Sequence, residues 1–487
     1  MGAYFRFFER GIEKKLKSEA SRGVQPPPVT GFGIAKAADG TVTDRRQLIP
    51  PLGLREYWYP ALPARRVPKK KPIYWRMLGD EIAFFRGENG HIVGVTDVCP
   101  HRGASMSDGF CFYKGTISCP YHGATFDASG ECKAFLPEGP DSKMLGKNLP
   151  IKVYPTRVLR GYVFVWMGEG EPAPIEEDVP PEFFEPEAEK THMFHTYTYW
   201  QCGWLVAIEN QNDSHNGFFA HRNSLMQLAG RRGRARTPIG PRSRLYKDRA
   251  LIPMMKNQGY YVDPKTGEEP YQLYHPGVDG HWPIGQWRKW LWTICRPVSK
   301  YLVLNPWRAK YRSKGEEWAE VTSSLWHLPC MVRVNFGPFA FTRAAVPVTE
   351  NMSRIVYFHH RPKMKLAIGR LIQTLWFYGY FNYWLHYNFS GQDGQVAAPC
   401  RYWTPEILSS TDSHLVMLRK LVTERSRDAK LWAARNEAQA AVARAAAVGE
   451  SEVRFFKHQE TYQVETEVSL EDSEAIREQV KERAILR

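Results

Sequence analysis

The sequence predicts an α+β protein with more than one domain, and three observations lead to this prediction. The chain has 487 residues, more than a single hydrophobic core usually organises. Short β-branched and aromatic runs, separated by Gly, Pro and Asp, fill residues 50–170 and recur after residue 188. Helical patterns stand at the N-terminus and again after residue 404. With 43% hydrophobic and 24% charged residues, the chain has the composition of an ordinary folded protein.

The N-terminal third divides into three predicted segments. Residues 1–49 predict a short basic helix followed by an extended arm around QPPPVTGFG. Residues 50–170 predict a β-rich domain with strands at YWYPAL, EIAFFRG, HIVGVTDV, KGTISCP and GYVFVWMG. The Pro- and acid-rich stretch at residues 169–187 predicts a linker.

Residues 188–430 predict a second, larger domain that mixes strands and helices. It begins with a strand at THMFHTYTYWQ and a helical region at WLVAIENQNDSHNGFFAHRNSL, and further strands follow from SSLWHLPC to FHHRPK. Residues 231–249 hold eight Arg or Lys and one acid, which predicts a solvated loop or, alternatively, a docking surface for an acidic partner. The apolar stretch at 366–389 predicts a buried, aromatic-rich core helix, because Arg370 and His386 interrupt it; contact with a membrane surface is the less favoured interpretation.

Residues 431–487 predict a C-terminal helical extension. A second helix is expected at SLEDSEAIREQVKER, where Ser469 and Asp472 have the spacing of a capping box.

Net charge and cysteine usage narrow the class of protein. A formal charge of +15 favours acidic partners, but no zinc-finger array or RNA-binding signature accompanies it, so nucleic acid is not expected as a partner. Eight cysteines in a chain of this length do not make a disulfide framework. The start MGAYFRFFERGIEKKLK has no apolar run long enough for a signal peptide. These features predict a cytoplasmic protein.

Two Cys/His pairs form the first candidate metal site. Cys99 and His101 are separated by one residue, Cys119 and His122 by two, and seventeen residues lie between His101 and Cys119. Thiolate and imidazole are good ligands for zinc and for iron. Ligand count alone therefore allows either a closed zinc site or a two-iron cluster with two Cys on one iron and two His on the other.

The flanks of these pairs resemble the Rieske family: C-P-H-R-G-A, then seventeen residues from His to Cys, then C-P-Y-H-G-A-T-F-D-x-x-G. The resemblance implies a [2Fe-2S] cluster held by the two pairs, with Gly103 and Gly123 letting the backbone turn closely around it.

A further comparison within the Rieske family separates its types. Rieske proteins of respiratory complexes carry an additional cysteine in each loop, at positions that are Ala104 and Tyr121 here. Cys111 and Cys132 fit neither loop and are expected to be buried thiols. The resemblance is therefore to the oxygenase or ferredoxin type.

About three hundred residues follow this domain. With them the chain resembles the Rieske non-haem iron oxygenases, and specifically the terminal oxygenase component of ring-hydroxylating systems. That resemblance implies an antiparallel β Rieske domain at 50–170. It also implies a helix-grip-like catalytic domain at 188–430, in which an antiparallel sheet and helices hold a mononuclear Fe²⁺ by two His and one carboxylate. Three protein ligands leave a face open to O2.

The candidate ligands of this iron are His215, His221 and Asp393. The segment IENQNDSHNGFFAHRNS resembles the family pattern E-N-x-x-D-x-S-H followed by H-[KR]-x-S, but Asn212 occupies the usual position of the acid, and Asp213 lies two residues before the first His. The gap between the two histidines is also longer than usual. Asp393 follows the long aromatic stretch, as the third ligand does in the family. Asp213, with Asn212 as the alternative, is the candidate catalytic residue bridging a cluster histidine to His215.

The resemblance implies a terminal oxygenase that hydroxylates, dihydroxylates or oxidatively demethylates a hydrophobic aromatic or polycyclic substrate with O2. No strand-GxGxxG-helix fingerprint occurs, so electrons from NAD(P)H are expected through a separate reductase, a ferredoxin or both. A homotrimer is expected from the family. Aromatic residues at 282–292 and 375–389 predict a roomy apolar pocket. The alternative is a Rieske electron-transfer protein without a working mononuclear site.

Overall fold

The computed structural model describes most of the chain. The described residues are 2–21, 45–185, 189, 191–210, 239–246, 250–257, 325–336, 339–400, 406–408, 412–427, 429, 453–458 and 461–466. Every pair of neighbouring strands in them is antiparallel, and helices are few. The α+β class with antiparallel sheets is therefore confirmed.

The chain divides into two compact units. One comprises Met1–Ile12 and Glu176–Leu421, and the other comprises Glu13–Ile175 and Val422–Arg487. The domain boundaries that the sequence predicts, 1–49, 50–170, 188–430 and 431–487, stay predictions.

The N-terminal segment forms helix α1 (Gly2–Ser21), as the sequence predicts. The expected arm at 22–44 lies outside the described residues. Short 3-10 turns occur at Arg45–Leu48, Ala64–Arg66, Met106–Asp108, Gly139–Asp141, Ile175–Glu177 and Pro181–Phe183.

Ten strands in three antiparallel sheets build the β-rich domain. They are β1 (Trp58–Pro63), β2 (Ile73–Met77), β3 (Asp80–Arg86), β4 (Ile92–Thr96), β5 (Ile117–Ser118), β6 (Thr125–Phe126), β7 (Cys132–Ala134), β8 (Val153–Tyr154), β9 (Thr156–Leu159) and β10 (Tyr162–Trp166). The sheet orders are β1-β10-β9, β2-β3-β4-β8 and β5-β6-β7. The five strands predicted here from sequence all exist as β1, β3, β4, β5 and β10.

Continuous apolar runs explain the strongest of these strands. Every residue of β1 and of β10 is buried, so WYPALP and YVFVW pack on both faces. A separate core cluster joins the β2-β3-β4-β8 and β5-β6-β7 sheets, and Cys99, Met106, Cys119 and Phe126 belong to it. The cysteines of the candidate cluster site are therefore part of a hydrophobic core.

The stretch at 169–187 is packed at its C-terminal end, and in this it differs from the linker that the sequence predicts. Val179 and Phe183 are buried, and so is Glu182. The Glu182 carboxylate forms an ion pair with Arg333 in which both side chains are almost fully buried. Apolar residues alternating with the prolines anchor the segment, and the buried acid is compensated by an arginine that lies far away in sequence.

The larger domain contains a seven-stranded antiparallel sheet with the order β11-β17-β16-β15-β14-β13-β12. Its strands are β11 (Thr191–Trp200), β12 (Ile239–Tyr246), β13 (Ala250–Asn257), β14 (Leu325–His327), β15 (Met331–Phe336), β16 (Phe339–Thr349) and β17 (Met352–Pro362). β11 and β17 pair along ten residues, from Thr191 opposite Pro362 to Trp200 opposite Ser353. The strands predicted at THMFHTYTYWQ and from SSLWHLPC to FHHRPK are confirmed.

The basic stretch at 231–249 is not a loop throughout, because residues 239–246 form β12 and pair with β13. β12 is the edge strand of the sheet, where Pro241 and the charged Arg242 and Arg244 are tolerated. The high charge of the stretch predicts a loop where a strand forms, and the partner strand has the mostly apolar sequence ALIPMMKN. Residues 231–238 lie outside the described residues, and the docking alternative stays a prediction.

Four further helices accompany this domain or follow it. They are α2 (Trp204–Glu209), α3 (Ala367–Trp376), α4 (Ser390–Ala397) and α5 (Ser413–Arg425). Between α3 and α4 the chain continues in wide π-helical turns at Phe377–Phe381 and Tyr383–Phe389.

The predicted core helix at 366–389 is buried only in its second half. The π-helical part packs on the sheet, where the rings of Phe377 and Phe194 stack with centroids 4.5 Å apart. Leu366, Leu371 and Leu375 of the first half are exposed.

The C-terminal prediction is wrong for residues 453–458 and 461–466. These residues form an antiparallel hairpin of β18 (Val453–His458) and β19 (Thr461–Thr466) instead of the expected helix. Both segments are rich in β-branched and aromatic residues, which favour strands. The helix expected at 469–483 lies outside the described residues.

None of the helices in the described part of the chain is long and apolar enough to cross a membrane.

The buried pair of Glu182 and Arg333 provides a test of this packing. Arg333→Ala should lower the free energy of unfolding by about 3–5 kcal/mol, because it leaves a buried carboxylate without its cation. Denaturant unfolding of the purified chain measures the change. The double variant Glu182→Leu/Arg333→Met should recover most of the loss, since it removes both charges; a single variant as stable as the parent would contradict the packed arrangement.

Candidate metal centres

Two loops bring the four sequence-predicted cluster residues together. Cys99 and His101 lie on the loop after β4, and Cys119 and His122 lie on the loop between β5 and β6. The cysteines are 2% and 4% exposed, whereas both imidazoles are half-buried. The centroids of the His101 and His122 rings lie 4.8 Å apart in an edge-to-face arrangement. The thiols thus point into the core, and the imidazoles lie at the surface.

The backbones of the two loops repeat one turn. In the first, the Cys99 N–H donates to the Ala104 carbonyl at 2.8 Å, and the Gly103 N–H donates to the Cys99 carbonyl at 2.8 Å. In the second, the Cys119 N–H donates to the Ala124 carbonyl at 2.8 Å, and the Gly123 N–H donates to the Cys119 carbonyl at 3.2 Å. The repetition gives the two pairs equivalent frames.

A glycine with positive φ closes each turn. The φ angle is +75° at Gly103 and +69° at Gly123, in the left-handed region that side chains disfavour. A Cβ added at Gly123 would lie 2.5 Å from Cδ1 of Leu136, whereas one added at Gly103 would meet nothing within 4 Å. Backbone conformation is therefore the shared reason for glycine at these two positions.

Each sulfur accepts backbone hydrogen bonds from its own loop. The N–H groups of His101 and Arg102 donate to Cys99, and those of Tyr121 and His122 donate to Cys119. The two thiols also contact each other, and the hydrogen bond from Cys99 lowers the pKa of Cys119 to about 6 while the pKa of Cys99 is raised.

This donor set fits a two-iron cluster. The two sulfurs contact each other and accept hydrogen bonds from backbone N–H groups, which is the environment that stabilises metal-bound thiolates. The two imidazoles lie next to each other on the solvent side of the two sulfurs. Two cysteines and two histidines in equivalent frames can thus supply two different ligand pairs to two adjacent irons.

Buried hydroxyls and a carboxylate fix the loop bases. The Asp97 carboxylate accepts hydrogen bonds from Ser105 Oγ at 2.8 Å and from Ser107 Oγ at 3.0 Å. Burial raises the pKa of Asp97. Under the second loop, Ser118 Oγ and Thr125 Oγ1 lie 2.8 Å apart. Both loops are therefore anchored before the chain reaches the ligand positions.

Aromatic and apolar side chains surround the imidazoles. The ring of Tyr121, 58% exposed, stacks on His122 with centroids 3.8 Å apart. Phe135 lies edge-on to His101 at 5.0 Å, and the Arg102 guanidinium lies over the Tyr121 ring at 5.6 Å. This rim limits water at the histidines and leaves an exposed aromatic surface beside them.

Cys111 and Cys132 are not part of the site. Cys132 is buried and Cys111 is half-buried, and all seven cysteines in the described residues are free. Burial raises the pKa of Cys111 to about 11 and raises that of Cys132. The expectation of a buried thiol is confirmed for Cys132, whereas Cys111 is only half-buried.

Three of the residues proposed for the second metal site, His215, His221 and Asp213, lie outside the described residues, as does Asn212. Their predicted roles stay predictions. Within the described ranges, no group of three or more His, Cys, Asp and Glu side chains is arranged to hold a single metal ion.

Helix α2, which leads into that segment, is fixed at its end by a buried ionic network. Glu209 accepts hydrogen bonds from Arg419 on α5, Nε to Oε1 at 2.6 Å and Nη2 to Oε2 at 3.0 Å. Arg419 also donates to Glu406 at 2.7 Å. A bidentate arginine between two carboxylates is geometrically specific. Glu209, the first residue of the sequence motif, therefore anchors the helix that precedes His215.

Asp393 lies on α4 and is buried, so it is not the loop residue that its two flanking glycines could suggest. A Cβ at Gly394 would lie 2.9 Å from the Trp200 ring, so glycine lets the helix approach β11. The Arg343 guanidinium lies over the same ring at 4.8 Å and interacts electrostatically with Asp393.

Arg343 also reaches the helix that precedes the predicted histidines. It donates a hydrogen bond to the Ala207 carbonyl of α2. Burial lowers the pKa of this guanidinium. One fully buried arginine thus contacts α2 and lies close to the predicted carboxylate ligand, which ties together the two parts of the chain that would supply the iron ligands.

A buried histidine pair is the main feature that the sequence did not reveal. His359 Nε2 on β17 and His386 Nε2 lie 2.7 Å apart. Burial lowers the pKa of both imidazoles well below the usual range. At neutral pH both rings are therefore uncharged, and one N–H donates to the other ring.

The alternation along β17 could have placed His359 on the face of the strand that meets the helix, although it could not have indicated His386 as the partner. Tyr357, His359 and Arg361 share one face of the strand, and all three meet the long helix. The Tyr357 hydroxyl and Ser390 Oγ lie 2.6 Å apart. Around His359 the rings of Phe341, Phe377 and Phe381 lie at centroid distances of 5.0, 5.2 and 5.5 Å. The space between sheet and helix is therefore aromatic with a few polar groups.

Comparisons with known proteins agree with the first site. A family model described as the Rieske [2Fe-2S] domain matches residues 57–155. The terminal oxygenase component CarAa of carbazole 1,9a-dioxygenase from Sphingomonas sp is 34% identical over 176 residues, which are 36% of this chain and 45% of that protein. The chain thus spans less than half the length of this curated relative.

The fold extends the likeness beyond the Rieske domain. The terminal oxygenase of carbazole 1,9a-dioxygenase from Nocardioides aromaticivorans IC177 matches with a TM-score of 0.57 at 22% identity, covering 78% of this chain and 97% of that one. The oxygenase in a reduced complex with ferredoxin, from carbazole 1,9a-dioxygenase, matches with a TM-score of 0.54 at 20% identity, over 78% and 91% of the two chains. The chain therefore carries a Rieske domain on a terminal-oxygenase fold.

The glycines of the two turns provide a test of the cluster frame. Gly103→Ala and Gly123→Ala should each cost about 1–2 kcal/mol in the turn, because alanine disfavours a left-handed φ, and should lower the iron and sulfide bound per chain. Visible absorbance and iron analysis measure the loss. Gly161→Ala, at φ +77° with open space around it, is the matched control that carries the same backbone cost away from the loops; equal cluster loss in all three variants would contradict the assignment.

The network around Arg419 gives a second test. Arg419→Ala should destabilise the protein by about 3–5 kcal/mol, because it leaves the buried Glu209 without its cation. Arg419→Lys should recover only part of this, since lysine cannot make the bidentate contact. Thermal unfolding measures both, with the exposed Arg425→Ala on the same helix as control; indistinguishable behaviour of the 419 and 425 variants would rule out the anchoring role.

Proposed function

We propose that this chain, a Rieske non-haem iron oxygenase by its cluster domain and its fold, is the terminal oxygenase component of an O2-dependent system. It would hydroxylate, dihydroxylate or oxidatively demethylate a hydrophobic aromatic or polycyclic substrate. The observation that carries the proposal is the pair of equivalent loops at Cys99/His101 and Cys119/His122. In the second domain of the same chain, the sheet packs against the helical segment that ends in α4, where Asp393 is buried.

Cys99, His101, Cys119 and His122 would hold the [2Fe-2S] cluster, which supplies one-electron storage when bound. The N–H groups that donate to the two sulfurs would stabilise added negative charge and so raise the reduction potential. The half-buried imidazoles give the cluster its accessible edge, while the core around the thiols keeps water away. Electrons would enter and leave on the histidine side.

His215, His221 and Asp393 would hold the mononuclear Fe²⁺, which supplies the site of O2 chemistry when bound. Asp213 is the proposed catalytic residue bridging a cluster histidine to His215, with Asn212 as the alternative. Two contacts among the described residues support this assignment. Glu209 fixes the helix that leads to His215, and Arg343 lies between that helix and Asp393.

The sequence is the basis for proposing a hydrophobic substrate, because the aromatic residues at 282–292 and 375–389 predict an apolar pocket. In the described residues, Phe341, Phe377 and Phe381 pack around the neutral His359–His386 pair, and all five side chains are nearly fully buried. They form an apolar core between the sheet and the long helix. Neutral imidazoles cost less to keep buried in such a core than ions would.

Separate partners would supply the electrons. The carbazole oxygenases with this fold include one solved in a complex with ferredoxin, and the basic charge of this chain would suit an acidic ferredoxin. A reductase would oxidise NAD(P)H and feed that carrier or the oxygenase directly. A homotrimer in the cytoplasm is the proposed assembly and location.

Metal analysis of an Asp393 variant tests the proposal. The parent should bind about three irons per chain, two in the cluster and one at the second site. Asp393→Ala should keep the cluster signal in electron paramagnetic resonance, lose about one iron, and lose O2-dependent product formation with reductase, NADH and hydrophobic ring compounds.

Asp412→Ala, in the same domain, is the control and should keep all three irons and full activity. A parent with about two irons per chain would instead identify a Rieske electron carrier. A parent with about three irons whose Asp393→Ala variant also keeps about three would remove Asp393 from the ligand set.

A further inference from the structure

The first half of the long helical segment turns its apolar residues outward. Its five large apolar side chains are between 49% and 71% exposed; they are Leu366, Ile368, Leu371, Ile372 and Leu375. Burying such side chains is what normally stabilises a surface helix. In this helix they face away from the domain.

Their spacing makes one continuous stripe. Residues 368, 371, 372 and 375 follow the i, i+3, i+4, i+7 pattern of a single helix face. The side that faces the domain instead buries Gln373 and continues into the buried Phe377. α3 is therefore amphipathic, with its apolar face directed away from its own protein.

The charged residues of the stripe's own segment have one sign. Lys363 and Lys365 immediately before α3 are exposed, and Arg370 donates hydrogen bonds to the carbonyls of Met364 at 3.2 Å and Lys365 at 3.0 Å. In the sequence no Asp or Glu occurs between Glu350 and Asp393. The apolar face is thus flanked by cations and by no acid from its own segment.

We propose that Lys363–Trp376 is a docking surface for an anionic phospholipid bilayer, on which α3 lies in the headgroup plane. An apolar face with lysines beside it is the combination that binds such surfaces, because acyl chains take the apolar residues and anionic headgroups take the cations. The ten residues of α3 are enough for contact in the plane.

Charge distinguishes a bilayer from a second copy of the chain as the occupant. A second copy of the chain carries the same formal charge of +15, so it would on average oppose Lys363 and Lys365 with like charge in a two-fold or a head-to-tail contact. Like charges brought together in this way are unfavourable. An anionic lipid surface complements both the stripe and its flank.

The test is flotation of the purified holoprotein with vesicles. The parent should bind phosphatidylcholine vesicles that contain phosphatidylglycerol, and should bind pure phosphatidylcholine vesicles less. Leu371→Ser/Leu375→Ser should weaken binding about tenfold or more, because two half-exposed leucines lose their transfer into lipid. Lys363→Glu/Lys365→Glu should abolish the preference for the anionic lipid, and added salt should weaken the parent.

A matched control removes two exposed apolar side chains elsewhere in the same domain. Ile407→Ser/Val416→Ser takes away residues that are 101% and 43% exposed and should bind vesicles like the parent. Circular dichroism and thermal unfolding verify that every variant is folded. Equal binding by the Leu371/Leu375 variant and the parent would overturn the proposal. So would a parent that ignores vesicles but changes its oligomeric state with that variant, because the face would then be an interface between copies.

Discussion

Two thiols buried side by side are the constraint on which the cluster domain depends. Cys99 and Cys119 belong to the same hydrophobic core as Met106 and Phe126, where an unshielded thiolate would be unfavourable. The N–H groups of the two equivalent turns offset that cost, and those turns require glycine at positive φ. The small sheet β5-β6-β7 and the buried Asp97 hold the turns in place. The need to bury and stabilise the two thiols at the loop tips thus accounts for the glycine turns and for the hydrogen bonds that anchor them.

Compensated burial of charge plays the corresponding role in the larger domain. Arg333, Arg343 and Arg419 are all buried, and each contacts a carboxylate or a carbonyl that is distant in sequence. Buried ionic groups of this kind add little net stability but make alternative packings costly. They connect the segment at 182, helix α2 and helix α5 to the rest of the domain. The predicted ligand Asp393 interacts with Arg343, and the predicted ligand His215 follows α2 in the sequence, so buried charge helps to fix the described elements from which these ligands come.

Local patterns in the sequence predict what depends on neighbouring residues. The two Cys/His pairs, the five strands of the cluster domain and β11 all follow from motifs or alternation within a few residues. Long-range partners decided the features that sequence missed. The charged segment at 239–246 forms β12 because its backbone pairs with β13. The segment around residue 182 is packed because Arg333 compensates the buried charge of Glu182. The His359–His386 pair, with residues from a strand and a π-helical turn, could not be read from either segment alone. The hairpin at 453–466 was hidden by the helical pattern around it.

The wide turns at Phe377–Phe381 and Tyr383–Phe389 have a consequence for how this domain could vary. A π-helical turn holds more residues than an α-helical one, so it resembles an α-helix with a residue inserted. Deleting one residue from a regular α-helical turn rotates everything beyond it by roughly 100°, whereas a deletion in a wide turn is absorbed when that turn tightens. The wide turns thus let the number of residues between the outward leucines and the inward Asp393 change by one without altering the direction in which either faces.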